Sequence, residues 1–340
     1  MTTLTRDPAR TAPTAPPRSG WVSRLGGPVW LVRRQHRAAF WTLLALTCLG
    51  VLVMAYLRGQ TMDFLATVEP TSRRSGGLPP EFETYADRLF GIGSYLGYLP
   101  VLAGVFLGAP LIAGDLESGT AKLVTSQSVS RLRWLATKLA VPAAMLTLCT
   151  TVLSVVFTWW WRPVKGLSDG LTWTSFFSVT GVTPVAYALL TFTVGAAVGL
   201  LLRRTLVSMV VTLGIVVAIG FVWDQLWRSL GNVMSVSTDQ GVGPDATLPE
   251  LPTEAEQQGQ GTYFLTESGD RLDWTTCLDQ MENAEAHTSC LESQHVIGRS
   301  MDYLPVSQMQ SMQWLGAGIM FAVTAAVVAF VLLWGRKRLL

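Results

Sequence analysis

The stretch Asp115–Lys138 reads DLESGTAKLVTSQSVSRLRWLATK and is a short polar interval between two long apolar runs. The runs are Ile92–Gly114 before it and Leu139–Trp161 after it. Each run is long enough to cross a bilayer as a helix, because about 20 helical residues span the hydrocarbon core. The interval is too short for a domain, yet it carries six charged residues, which are Asp115, Glu117, Lys122, Arg131, Arg133 and Lys138. Such a segment is typical of a membrane protein that receives movement from a soluble partner.

Composition places the chain among polytopic membrane proteins. Of its 340 residues, 49% are hydrophobic and only 14% are charged, whereas soluble domains carry about 25% charged residues. A soluble protein with a single anchor is therefore excluded. We predict an all-α polytopic membrane protein with six transmembrane helices, which are Ala38–Leu57, Ile92–Gly114, Leu139–Trp161, Phe176–Leu202, Thr205–Trp223 and Gln313–Trp334.

Only Arg203 and Arg204 separate the fourth and fifth predicted helices, which indicates a tight hairpin. The alternative is one long bent helix through both segments. That alternative would hold two adjacent arginines at mid-bilayer depth, at a cost of several kcal/mol.

The basic residues set the predicted orientation. With the N-terminus inside, the segments on the inner side hold 16 of the 25 Lys and Arg residues and only 3 of the 23 acidic residues. We therefore expect both termini and the loop 115–138 to be cytoplasmic. The chain divides into residues 1–37, residues 38–223 with the first five helices, residues 224–312, and residues 313–340 with the sixth helix and a basic cytoplasmic tail.

Residues 1–37 are predicted to be a disordered tail followed by an interfacial amphipathic segment. Residues 1–20 are rich in Thr, Pro, Ala and Arg, a composition typical of disorder. A set of aromatic and basic side chains is then expected to anchor the chain at the lipid headgroups, namely Trp30, Arg33, Arg34 and Arg37. A secretory signal is the competing interpretation, but the apolar run is full length and lacks an A-x-A-like site.

Residues 224–312 are predicted to be a small extracytoplasmic cap domain with 14 acidic and 3 basic residues. Cys277 and Cys290 lie in this segment, where an oxidising environment favours a disulfide. Free thiols are one alternative. A metal site with His287 and His295 is the other, although that spacing matches no closed zinc pattern.

Two further features are expected at the outer membrane surface. Pro79-Pro80 can start a separate helix that lies on this surface with Phe82, Tyr85 and Leu89 on one face. The triplet Trp159–Trp161 is interpreted as an interfacial anchor.

No sequence motif supplies energy or catalysis within this chain. The sequence has no G-x-x-x-x-G-K-[ST] and no H-E-x-x-H, and its G-x-S-x-G match at Gly166–Gly170 sits in a short turn region rather than in a strand–helix elbow. Apart from Asp115, the predicted spans contain no acidic residue or histidine that could form a proton relay. We therefore expect no enzyme activity, no metal, no cofactor and no nucleic acid partner, and we expect energy to come from another chain.

The local signals within Asp115–Lys138 predict a short helix over Glu117–Gln127. Gly119 can end the helix that leaves the second span, and Thr120 can cap the new one. Ser128 or Ser130 can cap the next helix, which runs into the third span.

Two motifs resemble those of a known family. Glu117-Ser118-Gly119-Thr120, Gln127–Arg131 and Lys138 together resemble the docking segment of type-2 ABC exporter permeases. Trp30–Arg37, which reads WLVRRQHR, is similar to the W-x-x-x-R-Q-H-R entry of permeases from actinobacteria. The long loop 224–312 departs from the family pattern.

The resemblance implies a non-catalytic permease subunit in the bacterial plasma membrane, as a homodimer or a related heterodimer. Two copies of a separate ATP-binding subunit would bind ATP and Mg²⁺. The cargo would be a hydrophobic or amphipathic compound such as an antibiotic, a lipid or a peptide, so that efflux could confer antibiotic resistance. The residues assigned to coupling are Asp115, Glu117, Gly119, Thr120, Leu123, Gln127, Ser130 and Arg131.

Two alternatives stay open at this point. Glu117 and Arg131 can be ordinary solvated loop charges. The whole chain can be a membrane-embedded sensor or immunity protein whose acidic loop binds an extracellular ligand, and such a protein would need no ATP-binding partner.

Overall fold

The computed structural model describes residues 30, 32–34, 36–69, 78–119, 130–168, 171–239, 242, 246–252, 254–281 and 283–338. Within these ranges, six helices are long and apolar enough to cross a membrane. They are numbered here as spans 1 to 6, with the bounds Arg37–Thr67, Phe82–Glu117, Arg131–Trp161, Thr183–Leu202, Thr205–Leu226 and Met309–Arg338. The protein is thus a multi-pass, mostly helical membrane protein, and each predicted apolar run overlaps one of these helices.

The two ends of this bundle differ in charge. We call one end the basic end. It holds the start of span 1 at Arg37, both edges of the segment 118–130, the pair Arg203-Arg204, and the basic residues at the end of span 6. The opposite end carries residues 231–308, and we call it the domain end.

Span 2 differs from the prediction because it begins at Phe82 instead of Ile92. The segment expected to lie on the membrane surface continues without a break into the membrane helix, so the separate surface helix was wrong. Phe82 and Leu89 are buried inside the bundle, and the Phe64 ring of span 1 stacks against Tyr85 at 4.8 Å. These protein contacts favour the upright helix over an interfacial one.

The interfacial role predicted for the triplet Trp159–Trp161 was wrong for two of its three members. Consecutive residues of a helix point about 100° apart, so that three neighbours cannot all face lipid. Only Trp159 is exposed, and the Arg58 guanidinium lies 3.7 Å from its ring. Trp160 and Trp161 are buried, and the indole N–H of Trp160 donates to Thr61 Oγ1.

Span 4 starts at Thr183, later than the predicted Phe176, because residues 171–182 fold as turns. Gly181 has a φ of +66°, which favours glycine and interrupts a helix. The Gln313 side chain of span 6 donates to the carbonyl oxygens of Phe177 and Thr180, so that the turn is held by hydrogen bonds in place of a helical ladder.

The hairpin between spans 4 and 5 is confirmed, and the single bent helix is excluded. Span 4 ends at Leu202 and span 5 begins at Thr205. Arg203 takes a left-handed conformation with φ of 58°, which reverses the chain.

Spans 2 and 4 cross at close range around a π-helical segment, Ala103–Gly108, within span 2. A Cβ added to Gly195 would collide with the carbonyl oxygen of Gly104. Small residues of this kind let two backbones approach directly, which is the main way helices associate in a membrane. The Thr191 hydroxyl adds a 2.5 Å hydrogen bond to the carbonyl oxygen of Pro100.

Residues 231–308 are not purely helical, so the all-α prediction applies to the membrane part. Their described residues form an antiparallel sheet in the order β1-β4-β2-β3, from Met234–Thr238 (β1), Glu256–Thr266 (β2), Arg271–Leu272 (β3) and Val296–Leu304 (β4). The helix Ala284–Ser293 packs on the sheet through a small core of Phe264, Leu291 and Val296.

A disulfide holds this domain together, and one ion pair joins it to the bundle. Cys277 and Cys290 are bonded, with their Cα atoms 6.0 Å apart. The Lys165 ammonium lies 2.6 Å from Glu254 Oε2. Among the residues that the structure describes, no group of three or more His, Cys, Asp or Glu could hold a metal ion.

Candidate functional site at the basic end

The segment between spans 2 and 3 is framed by two well-formed helix ends. Span 2 ends at Glu117, and Gly119 follows with a φ of +73°, as expected for a residue that stops a helix. Span 3 begins at Arg131, with Ser130 Oγ accepting a hydrogen bond from the backbone N–H of Arg133. Thr120, Leu123 and Gln127 of the predicted coupling set lie outside the described residues, as does most of the predicted helix Glu117–Gln127.

Asp115 and Lys138 form an ion pair that joins the end of span 2 to the beginning of span 3. The Lys138 side chain is fully buried, and that of Asp115 is 9% exposed. Asp115 was predicted to be among the residues that contact a partner, but in this conformation its carboxylate faces Lys138 within the chain. The ion pair therefore links two helices within the chain.

Glu117 joins span 2 to a third helix. Its carboxylate oxygen Oε2 accepts a 2.8 Å hydrogen bond from the backbone N–H of Thr205, the first residue of span 5. A carboxylate at this position satisfies one of the free N–H groups of a helix start and interacts favourably with the helix dipole. Glu117 is exposed, and it also makes this specific contact within the chain.

His36 brings the entry to span 1 close to the same ion pair. The ring is half-buried, and its Nε2 has no hydrogen-bond partner among the described residues. Burial lowers the pKa of His36, the positive charge of Lys138 lowers it further, and Asp115 opposes this shift.

The other predicted residues take positions at the edge of the site. Ser130 is exposed and Arg131 is half-buried. In the interfacial segment, Arg33, Arg34 and Arg37 are all exposed, and the Arg34 guanidinium stacks on the Trp30 ring at 5.1 Å. The spatial partners Lys138 and Thr205 were not assigned to the site from sequence, although Lys138 was part of the quoted motif.

These contacts define a class of protein. It is a multi-pass helical membrane protein in which ion-pair and hydrogen-bond contacts connect the helix ends next to the polar segment 118–130. Spans 2 and 3 are joined by a buried ion pair, and spans 2 and 5 by a carboxylate that caps a helix. The ends of three spans are therefore linked at the basic end.

The comparison with known families agrees with this class. Residues 43–228 match the family described as ABC-2 membrane transporter related, and the chain belongs to this family. The matched region covers spans 1 to 5 and ends before the sheet domain. The chain is accordingly an ABC permease subunit, and permeases of this family work in general with an ATP-binding partner subunit. Neither the curated proteins nor the solved structures contain a match to this chain.

Proposed function

We propose that this chain is the permease subunit of an ATP-driven exporter in a bacterial plasma membrane. It acts as a homodimer, or with a related permease, and two copies of a separate ATP-binding subunit supply ATP and Mg²⁺. Family membership supports the permease class. The observation that carries the proposal further is the linkage of spans 2, 3 and 5 at the edges of the segment 118–130.

The basic end is the cytoplasmic end in this proposal, because Lys and Arg are enriched on the cytoplasmic side of membrane proteins. The segment 118–130 docks on the ATP-binding subunit, with Gly119, Thr120, Leu123, Gln127, Ser130 and Arg131 at or near the contact. Asp115 and Glu117 then hold the neighbouring span ends in fixed positions relative to this contact.

Transmission through the membrane follows from these links. When ATP closes the two ATP-binding subunits, the docked segment moves, and the ion pair and the Glu117 hydrogen bond carry the movement to spans 2, 3 and 5. ATP in this scheme shifts the populations of conformations that already exist. The π-helical segment Ala103–Gly108 is suited to pass the movement on to span 4, because such segments occur frequently at functional sites.

A groove between three of the spans supports an apolar cargo. A groove of about 790 Å³ opens between spans 1, 2 and 3, with walls that are almost entirely hydrophobic. Its few polar side chains include Thr42, Tyr95 and Tyr98. A wall of this kind suits a hydrophobic or amphipathic compound, such as an antibiotic, a lipid or a peptide, and it can face either lipid or a second permease.

Co-purification tests the permease assignment. The tagged chain is extracted from its native membrane in mild detergent, and the proteins that accompany it are identified by mass spectrometry. We expect a nucleotide-binding chain in a one-to-one ratio with the permease. We also expect the Leu123→Asp variant, which changes the segment 118–130, to lose the nucleotide-binding chain. The Leu248→Asp variant should retain that chain, because Leu248 is an exposed leucine at the domain end.

Two results would contradict the proposal. One is the absence of any nucleotide-binding chain from the wild-type preparation. The other is its equal retention by the Leu123→Asp and Leu248→Asp variants, which would place the contact elsewhere. A chain that bound an extracellular ligand without an ATP-binding partner would instead be a sensor or immunity protein.

A further inference from the structure

A groove of about 550 Å³ lies between spans 1 and 3 at the basic end, and the transport mechanism makes no use of it. Arg33 and Arg37 lie at one edge. The rest of the lining is apolar and comes from both helices, with Trp41 and Leu44 on one side and Val141 and Leu148 on the other. The groove therefore has a charged mouth and a hydrophobic floor.

The apolar residues form two facing stripes. Trp41 and Leu44 follow Arg37 by four and seven residues, and Leu148 follows Val141 by seven, so each set lies on one face of its helix. Two turns of helix are about 10 Å long, which is enough to hold the upper part of an acyl chain. Trp41 and Leu148 are largely exposed, so that nothing in the described residues covers the groove.

The mouth of the groove selects for negative charge. Arg33 and Arg37 are exposed, and neither forms an ion pair with any residue that the structure describes. The guanidinium group has a planar fork of donors that matches the oxygens of a phosphate. Free phosphate would leave the apolar floor unused, whereas a phospholipid uses both parts.

A second copy of the chain fits this groove less well than a lipid does. The described acidic residues at the basic end are Asp115 and Glu117, and both already make contacts within the chain. A neighbouring copy would thus offer no described carboxylate at this level, and packing it here would bury two guanidinium groups without a partner, which is costly.

We infer that this groove is a specific site for one anionic glycerophospholipid from the leaflet at the basic end. The phosphate lies on Arg33 and Arg37, and one acyl chain lies between Trp41 and Leu148. Val141 follows Lys138 by about one helical turn, so the lipid bridges spans 1 and 3 beside the buried ion pair. The inference does not depend on the proposed transport function, since it concerns binding to the isolated chain.

Native mass spectrometry of the delipidated full chain tests this site, with dioleoyl-phosphatidylglycerol and dioleoyl-phosphatidylcholine titrated separately into the detergent. We expect one phosphatidylglycerol to bind to each chain with a clear preference over phosphatidylcholine. The double variant Arg33→Gln/Arg37→Gln should weaken this binding about thirtyfold, which is the effect of two arginines near an anionic surface.

Arg34→Gln is the matched control, because Arg34 neighbours Arg33 but stacks on Trp30 and does not line the groove. The Arg34→Gln variant should bind phosphatidylglycerol as tightly as wild type does. A second variant, Ala144→Trp, fills the floor and should weaken both lipids without removing any charge.

Several results would overturn the inference. If Arg34→Gln weakens phosphatidylglycerol binding as much as the double variant does, the lipid binds to the basic surface in general and not to this groove. Equal binding of the two lipids, or displacement of phosphatidylglycerol by inorganic phosphate, would remove the lipid specificity. A dimer that sheds the lipid as it forms would show that a second copy occupies the groove.

Discussion

Lys138 places an ammonium group at a fully buried position, and the carboxylate of Asp115 is what offsets its charge. We predict that Asp115→Asn or Lys138→Met alone lowers the free energy of unfolding by about 3–5 kcal/mol, because each leaves one buried charge without its partner. Unfolding of the purified chain in denaturant titrations, followed by circular dichroism, measures this loss.

The double variant Asp115→Leu/Lys138→Met is the control for that prediction. Replacing both charges by apolar side chains of similar size removes the unpaired charge, so most of the stability should return. If the loss in the free energy of unfolding of the double variant equals the sum of the losses of the two single variants, the two residues do not form a coupled pair.

His36 predicts a dependence of stability on pH. Folding lowers the pKa of His36 from the usual value of 6.5, so the unfolded chain binds a proton more readily than the folded one. The contribution of His36 to stability is therefore present above about pH 6.5, and it is lost as the pH falls below that value through the lowered pKa of the folded chain. Melting temperatures measured on both sides of that pH should fall more steeply with acid for wild type than for His36→Asn. Parallel curves for the two proteins would contradict the assignment.

Glycines at the crossing of spans 2 and 4 cannot be replaced by larger residues without moving the two helices apart. A methyl group at Gly195 meets backbone atoms of span 2, which cannot rotate away, so Gly195→Ala must push the two helices apart. We predict a loss of about 1–3 kcal/mol in the free energy of unfolding. Gly214→Ala in span 5 is the matched control, because a methyl group there meets nothing within 4 Å. Equal stability of the two variants would show that the crossing is looser than the structure indicates.

The apolar runs in the sequence located the spans. They could not show whether a given residue in a span faces lipid or faces another helix. Hydrocarbon and a protein core select the same side chains, which is why Trp160 and Trp161 were predicted to face the interface and are buried instead. The same ambiguity hid the upright start of span 2 at Phe82. The hairpin at Arg203-Arg204 was predictable because two adjacent arginines at mid-bilayer depth would cost several kcal/mol.

The candidate site was predictable as a segment but not as a set of contacts. Asp115 and Glu117 stood out as acidic residues beside a span, yet their partners Lys138 and Thr205 lie 23 and 88 residues further along the chain. Such pairings depend on how the helices pack. Local periodicity and capping signals carry no information about this packing.

The sheet domain at the far end of the molecule is closed by a short disulfide loop. The loop-closure estimate for a loop of this size is roughly 3 kcal/mol. We predict that Cys277→Ser/Cys290→Ser increases amide hydrogen exchange over β2 and β4 and leaves the spans unchanged, whereas Cys48→Ser changes neither. Alkylation of both Cys277 and Cys290 in the unreduced wild-type protein would contradict the disulfide.

In the proposed function Glu117 carries movement of the segment 118–130 to span 5, and the distance between two labelled spans reports on this link. Spin labels replace Leu206 of span 5 and Leu46 of span 1, both exposed, in a chain without Cys48 and Cys149. The distance between the labels is measured by pulsed electron resonance in the complex with the ATP-binding subunit, with and without a non-hydrolysable ATP analogue. We predict an ATP-dependent shift in wild type and no shift in Glu117→Ala. Glu81→Ala, which changes an exposed acid at the far end of span 2, should keep the shift. The same shift in Glu117→Ala as in wild type would contradict this role of Glu117.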